Sequence, residues 1–416
     1  MKTAKTVSLV LISAALVGCG TVSAPTGGDA VDSGTTFAHD ALATYVDRGE
    51  LPGAISIFYD NGVQETCCIG YADVEAKRPI TLDDVFMQCS QTKGFCGVTI
   101  AKLIEEGRLN LDDPVSKYLP EFNRVWYMES DDQNWRKTLH CDTNLQVTVR
   151  MVMNHTAGFE FELPGKSGAI RGGGWTGGMD LRQVAAEAAG RPLLFRPGTA
   201  VQYSNTGIDV GAAIVEVVTG KPWEQYLKET VLDPLGMTAT GFRPTDKQLE
   251  TQIELYQCKA EMPAIRQREA DMQRRPYNGP NVHVSAGAGL WTTARDQLKF
   301  YKMLMNLGVG DNGVRILQEG TVKSLLAVSS RPAGLGGYSL GLTAPEKDTD
   351  DSWFGHGGAW GTHCEVNWHR KQLKLWTVQL LGGPRPWDRA LWAAEKKFFG
   401  RQIDNSGVRA YTGRVN

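Results

Sequence analysis

Ser90 stands three residues before Lys93 in the run Ser90-Gln91-Thr92-Lys93, where apolar Val85, Phe86 and Met87 give way to a helical pattern. Residues three apart at the first turn of a helix share a face, so the Lys93 amine would lie beside the Ser90 hydroxyl. A serine hydroxyl is a poor nucleophile until a neighbouring base takes its proton, and a partly desolvated lysine can be that base. The helix N-terminus adds partial positive charge and free backbone N–H groups, which suit an oxyanion. The chemistry on offer is attack on a carbonyl. The same spacing also fits an N-cap serine with a solvated lysine, so other residues must decide.

Two Tyr-x-Asn triplets occur. Tyr59-Asp60-Asn61 falls at an Asn-Gly turn, where asparagine serves a positive φ, and is structural. Tyr203-Ser204-Asn205 follows Arg196-Pro197-Gly198-Thr199 and precedes a helical run, which puts it on a loop that can be aimed into a cleft. A tyrosine there can relay protons if a neighbouring lysine lowers its pKa, and an asparagine amide can orient lysine and substrate. Near the end of the chain, His356-Gly357-Gly358 precedes a strand. Glycines let a backbone pass close to a ligand, so Gly357 and Gly358 read as a strand edge lining a cleft, with His356 pointing at the substrate. A Gly-rich turn with a bystander histidine fits the local sequence equally well.

These groups need elements to bring them together. Apolar spacing at Phe37, Leu42, Tyr45 and Val46 predicts a helix over 37–48, and runs at 54–59 and 63–70 around Asp60-Asn61-Gly62 predict a hairpin. The stretch 81–284 is dominated by helical patterns, at 94–106, 181–189, 206–219 and 222–231, between Gly/Pro-rich loops. Strand-like runs return at 338–342, 361–368 and 373–381 before an amphipathic helix over 387–399. Strands at both ends around a helical middle predict an α+β fold, with an antiparallel sheet built from the N- and C-terminal segments, flanking helices and an inserted, mainly helical subdomain.

The 416 residues carry 44 Lys+Arg against 46 Asp+Glu without a long single-sign run, which excludes a nucleic-acid partner. Lys2 and Lys5, the apolar run 7–17 and Leu16-Val17-Gly18-Cys19 form a targeting segment that resembles the lipobox of bacterial lipoproteins. That resemblance implies a signal peptide at 1–18, a lipid on Cys19 as membrane anchor, and a cell-envelope location facing the periplasm, on the outer membrane of a Gram-negative cell. A flexible tether is expected over 19–36, a catalytic domain over 37–400 and a tail over 401–416. With Cys19 lipidated, seven cysteines remain (Cys67, Cys68, Cys89, Cys96, Cys141, Cys258 and Cys364), so at least one is unpaired or pairs between chains. No metal-ligand spacing stands out, and neither a metal nor a cofactor is expected.

In the order Ser-x-x-Lys, Tyr-x-Asn, His-x-Gly, the chain resembles the serine β-lactamase and penicillin-binding-protein superfamily, in its class C-like branch that includes esterases and D-amino-acid peptidases. The resemblance runs over about 37–399. It includes Gly107-Arg108-Leu109-Asn110-Leu111-Asp112-Asp113-Pro114-Val115 with Tyr118-Leu119-Pro120, the loop Asn154-His155-Thr156-Ala157-Gly158-Phe159, Pro197-Gly198, Pro234-Leu235-Gly236-Met237, and Ser285-Ala286-Gly287-Ala288-Gly289-Leu290 leading to Thr293-Ala294-Arg295-Asp296. It implies that Ser90 is acylated, Lys93 and Tyr203 share proton transfer, Asn205 holds the network, and the oxyanion sits between the backbone N–H groups of Ser90 and Ala359. Water would then release the acyl group near Tyr203, since no class A-type glutamate is found. The expected substrate is a small molecule or peptide with an ester or amide bond.

Three departures bear on the substrate. His356 replaces the lysine usual in β-lactamases and removes a permanent cation for a substrate carboxylate. Cys89 and Gln91 flank the nucleophile, and 127–144, with Glu129, Asp131, Asp132, Trp135 and His140, reads as an insertion that roofs the cleft. The alternatives are a β-lactamase proper and an envelope receptor that acylates without turnover. His283-Val284-Ser285-Ala286-Gly287, with Asp350 and His356 or His363 downstream, would suit the residue order of an α/β-hydrolase, but the chain lacks the buried parallel strands of that fold. Lys166-Ser167-Gly168 precedes Tyr203 and is a loop, out of order for the third triplet.

Overall fold

The computed structural model describes residues 36–131, 136–163, 179–259, 262–268, 283–382 and 385–400, with short strands at 402–403 and 409–410. The expected signal segment, Cys19, the tether up to residue 35, Lys166-Ser167-Gly168 and most of the tail lie outside the described residues.

Helix α1 (Phe37–Asp47) leads into β1 (Gly53–Asp60) and β2 (Val63–Asp73). Asn61 at φ 43° and Gly62 at φ 96° make the left-handed pair that a two-residue hairpin requires, and Asp60 faces Val63 across it. After β3 (Arg78–Pro79) and β4 (Phe86–Met87), one 3₁₀ turn at Cys89–Gln91 delivers the chain into α2 (Thr92–Glu105). A hairpin of β5 (Val125–Asp131) and β6 (Arg136–Asp142) precedes α3 (Val149–Met153), α4 (Leu181–Ala189) and α5 (Asn205–Thr219). Then follow β7 (Tyr256–Lys259), β8 (Met262–Arg268), β9 (Trp291–Thr292), β10 (Phe354–Gly358), β11 (Thr362–Asn367), β12 (Gln372–Thr377) and β13 (Leu380–Gly382).

The main sheet has the order β10-β11-β12-β1-β2-β3 with antiparallel pairings, so both ends of the chain build it as expected. Both faces are covered, and the strand period of two sorts side chains between two layers. Ala54, Phe58 and Trp376 pack with Ala38 and Leu42 of α1 and with Leu391 and Phe398 of the C-terminal helix Pro386–Phe399. Ile55, Ile57, Leu373 and Leu375 pack on the other side with Phe95 of α2 and Phe300 of the helix Ala294–Met305. The Phe95 and Phe300 rings stack with centroids 3.7 Å apart. Each fully buried side chain of this size contributes roughly 1.5–3 kcal/mol, which fixes α2 against the sheet.

Three sequence expectations need correction. The run 338–342 is not a strand: Gly341 adopts φ 71°, and a Cβ there would lie 2.1 Å from the Lys93 carbonyl oxygen. The segment is an irregular loop pressed onto α2, closed by Ser339 N–H donating to Leu342 O. The run 373–381 breaks after Thr377, where Gln379 takes φ 47°, and β13 leaves the main sheet to pair in parallel with β7. The middle of the chain also holds more strand than its helical patterns imply. The β5–β6 hairpin occupies the expected insertion, with Val125 and Tyr127 buried and Trp126 exposed in the alternation of a one-faced strand.

Candidate active site

Three elements converge on the N-terminus of α2. The turn Cys89–Gln91 presents Ser90, Cys89 holding a left-handed φ of 52° that bends the chain between β4 and the helix. Gly358 at the end of edge strand β10 runs beside this turn, and a Cβ on it would stand 2.4 Å from Gln88 O and 3.2 Å from Cys89 Cβ. The N-terminus of α5 brings Asn205 from the opposite side, its preceding residue Ser204 capping the helix by accepting from Gly207 N–H.

Lys93 is completely buried. Its Nζ lies 3.3 Å from Ser90 Oγ, 2.6 Å from Asn205 Oδ1 and 2.6 Å from Gly287 O. Burial pushes the amine down to about 7, against the opposing pull of Asp209 and Glu162. A neutral amine has two N–H donors and one lone pair. The two oxygen acceptors at 2.6 Å match the donors and leave the lone pair for Ser90 Oγ, which is the arrangement of a base poised to take the hydroxyl proton.

Tyr203 is hydrogen-bonded to Ser90, and its ring lies under the amine, with Lys93 Nζ 4.6 Å from the centroid. No lowering of its pKa by a neighbouring lysine prevails. Burial raises the phenol well above its usual value, outweighing the Ser90 hydrogen bond, so Tyr203 stays protonated and Lys93 is the basic member of the pair. His155, in the loop after α3, packs at a tilt with its ring centroid 4.5 Å from that of Tyr203 and 4.6 Å from that of Tyr338, and accepts from Ser204 N–H through Nδ1.

His356 lies within β10 rather than before a strand. Its Nδ1 is 2.5 Å from Gly357 O and its Nε2 is 3.0 Å from Tyr338 Oη, so Nδ1 carries the proton and Nε2 accepts from the phenol. Burial and the nearby Lys93 charge bring it down to about 3, leaving a neutral ring. Both nitrogens are engaged inside the protein, so the ring braces β10 against the 338–342 loop. This differs from a side chain pointing freely at substrate.

Sequence reasoning missed four groups. Glu162 Oε1 accepts from Asn205 Nδ2 at 3.0 Å, placing a carboxylate on the network where none was expected. Gly287 contributes only a carbonyl oxygen, Tyr338 sits on a loop misread as a strand, and Asp209 lies one turn beyond Asn205 on α5. The segment considered as a hydrolase elbow is no nucleophile: Ser285 is buried and donates to Asp209. Cys67, Cys68, Cys89, Cys96, Cys141 and Cys364 are free thiols, and among the described residues no group of three or more His, Cys, Asp or Glu converges as metal ligands.

The family profile described as Beta-lactamase matches residues 38–375. The chain belongs to the beta-lactamase family. Protein Rv1367c of Mycobacterium tuberculosis (strain ATCC 25618 / H37Rv) is 31% identical over 281 residues, covering 67% of this chain and 68% of its own length. Among solved structures the fold is similar to EstCE1, a hydrolase with promiscuous acyltransferase activity, with TM-score 0.66 and 21% identity over 86% of this chain and 97% of that one. It is also similar to a D-stereospecific amidohydrolase from Streptomyces sp., with TM-score 0.61 and 21% identity over 86% of this chain and 97% of that one. Within this chain Ser90, Lys93, Tyr203, Asn205 and the β10 residues His356 and Gly358 lie together around the start of α2.

Proposed function

We propose that the protein is a serine hydrolase that cleaves ester or amide bonds through an acyl-Ser90 intermediate, of the esterase or D-amino-acid peptidase type. Ser90 Oγ attacks the carbonyl while its proton passes to Lys93. The oxyanion is held by the backbone N–H groups of Ser90 and Ala359, and Gly357 and Gly358 border the cleft. Collapse expels the alcohol or amine, which takes the proton back through Lys93 and Tyr203. Water then attacks the acyl-enzyme, losing its proton to the same base, and frees Ser90. The observation that carries this reading is the buried Lys93 amine, 3.3 Å from Ser90 Oγ with its two N–H donors matched to Asn205 and Gly287.

The neutral His356 supports uncharged acyl donors over a β-lactam, whose carboxylate calls for a cation. The deciding experiment is hydrolysis of an activated acetate ester by the full chain and by Ser90→Ala. Turnover that vanishes in the variant supports the proposal, whereas turnover that persists removes Ser90 as nucleophile. A single stoichiometric burst without turnover would favour the receptor reading. We extend the proposal to a lipid anchor at Cys19 on the envelope membrane, tested by whether Cys19→Ser moves the protein from the membrane to the soluble fraction.

A further inference from the structure

Asn205 and Asp209 lie four residues apart on α5, hence on one face, and both are buried. Asn205 touches Lys93 directly. Asp209 touches the other acceptor of the same amine: its Oδ1 takes the Gly287 N–H at 3.1 Å and the Ser285 hydroxyl at 3.3 Å, while its Oδ2 faces His283 Nε2 at 3.2 Å. The turn that carries Gly287 is therefore pinned at three points to one carboxylate. Gly287 must also be glycine, since a Cβ there would stand 2.8 Å from both Cβ and Oδ1 of Asn205.

Ser285, His283 and Asp209 are the residue types of a catalytic triad, but the order of contacts is wrong for one. Serine and histidine sit on opposite oxygens of the aspartate, whereas a relay needs histidine between the other two. The cluster is also closed to solvent, with each of the three residues at most 5% exposed. Its contacts lead instead to the base.

Resting on the serine-hydrolase reading above, we infer that Asp209 is a positioning residue for Lys93: it aims the Gly287 carbonyl that accepts one of the two N–H bonds of the neutral amine. With that carbonyl and Asn205 Oδ1 both in place, the lone pair has one direction left, toward Ser90. Asp209 also acts through charge. The charged groups that reach the cluster are Lys93, His283 and Glu162, beside the buried thiols Cys89 and Cys96. Asp209, with Oδ2 3.2 Å from His283 Nε2, raises that histidine above its usual value against the cost of its burial, and in its protonated form the ring would offset the field of the carboxylate at Lys93.

The two partners therefore have opposite effects. Removing the carboxylate withdraws a negative charge that favours the ammonium, and removing the imidazolium leaves that charge uncompensated. The experiment is the pH profile of kcat/KM, with kcat and KM separately, for the full chain, Asp209→Asn, His283→Asn and Ser90→Ala on an activated acetate ester. Asp209→Asn is expected to lose on the order of 10²-fold in kcat with KM within about twofold, the cost of a misaimed base, and its acid limb moves to lower pH. His283→Asn moves the acid limb to higher pH. An Asp209→Asn enzyme whose limb stays put, whether active or slowed, overturns the inference, because a merely structural role predicts that. Should Asp209→Asn fail to fold, an unmoved limb in His283→Asn overturns it equally. Ser90→Ala separates the two claims. Activity retained there sinks the nucleophile and the inference together, while an inactive Ser90→Ala beside unmoved limbs in the other two sinks the inference alone.

Discussion

Lys93 Nζ and Asn205 Oδ1 are 2.6 Å apart inside the protein although 112 residues separate them in the chain. That contact joins the first turn of α2 to the first turn of α5, and it holds a lysine that burial has brought down to about 7. A lysine on a surface helix face would be charged at that pH and useless as a base.

The pH dependence of the reaction follows. In the proposed mechanism acylation requires the neutral amine, so kcat/KM should rise with pH through an acid limb near 7 and then level off. His356, brought down to about 3, adds no limb at the usual histidine value, and Tyr203, raised by burial, adds no alkaline limb below its ordinary range. The sign for stability agrees. A lysine whose folded value lies below its unfolded value leaves the folded state with fewer protons, so stability should rise with pH between about 7 and the ordinary lysine value. Steady-state kinetics from about pH 3 to about 9, a window that spans the ordinary carboxylate values as well as the expected limb, check the first point. A limb in the usual carboxylate range would assign the base to Glu162 instead.

Tyr203→Phe isolates the phenol oxygen. Phenylalanine keeps the ring that lies under Lys93 Nζ at 4.6 Å and against His155 at 4.5 Å, and removes only the hydroxyl bonded to Ser90. The expected result is a fall in kcat of about 10²–10⁴-fold with little change in thermal midpoint, as for loss of a proton-transfer group. Stopped-flow acylation with a chromogenic ester reads it, and a variant with wild-type acylation would show that Lys93 works without the tyrosine.

How much of this was legible in sequence depends on where each group's information lies. Ser90 with Lys93, and Tyr203 with Asn205, are short spacings on local elements, and their helix starts are marked by the change of hydrophobic period. The sheet was legible too, because the Asn61-Gly62 turn and the apolar runs at both ends have no other use. Gly287 acts through its backbone oxygen, which has no signature in residue type. Tyr338 reaches His356 because Gly341 turns left-handed against Lys93 O, a packing fact that the alternation of 338–342 masks. Asp209 and Glu162 acquire meaning only from what tertiary structure sets beside them.

The two glycines after His356 should respond differently to the same change. A Cβ on Gly358 would lie 2.1 Å from Thr362 Oγ1 and 2.4 Å from Gln88 O, whereas one on Gly357 meets nothing closer than His363 Nδ1 at 3.6 Å. Gly358→Ala therefore has to push β10 away from the Ser90 turn, with a destabilisation of about 1–3 kcal/mol and loss of most activity. Gly357→Ala should fold with a thermal midpoint close to wild type. Differential scanning calorimetry on the pair checks this, and equal midpoints would mean that β10 is not packed on the Cys89–Gln91 turn as described.

Cys89, adjacent to the proposed nucleophile Ser90, provides a test of which side chain is acylated. Its thiol is buried, donates to Met87 O, and is pushed up to about 12 by burial. Thiolate is the reactive form, so almost none is present at neutral pH and the thiol is inert to alkylation. Cys141 is exposed and takes the reagent instead, whereas burial pushes the Cys68 thiol up to about 12 as well and keeps it unreactive. Treatment of the native protein with iodoacetamide at about pH 8, half a unit below the ordinary thiol value, should modify Cys141 and leave ester hydrolysis intact. Peptide mapping after treatment locates the label, and mass spectrometry of protein trapped with the ester should place the acyl group on Ser90. Activity that falls in step with labelling of Cys89 would move the nucleophile one residue back along the chain.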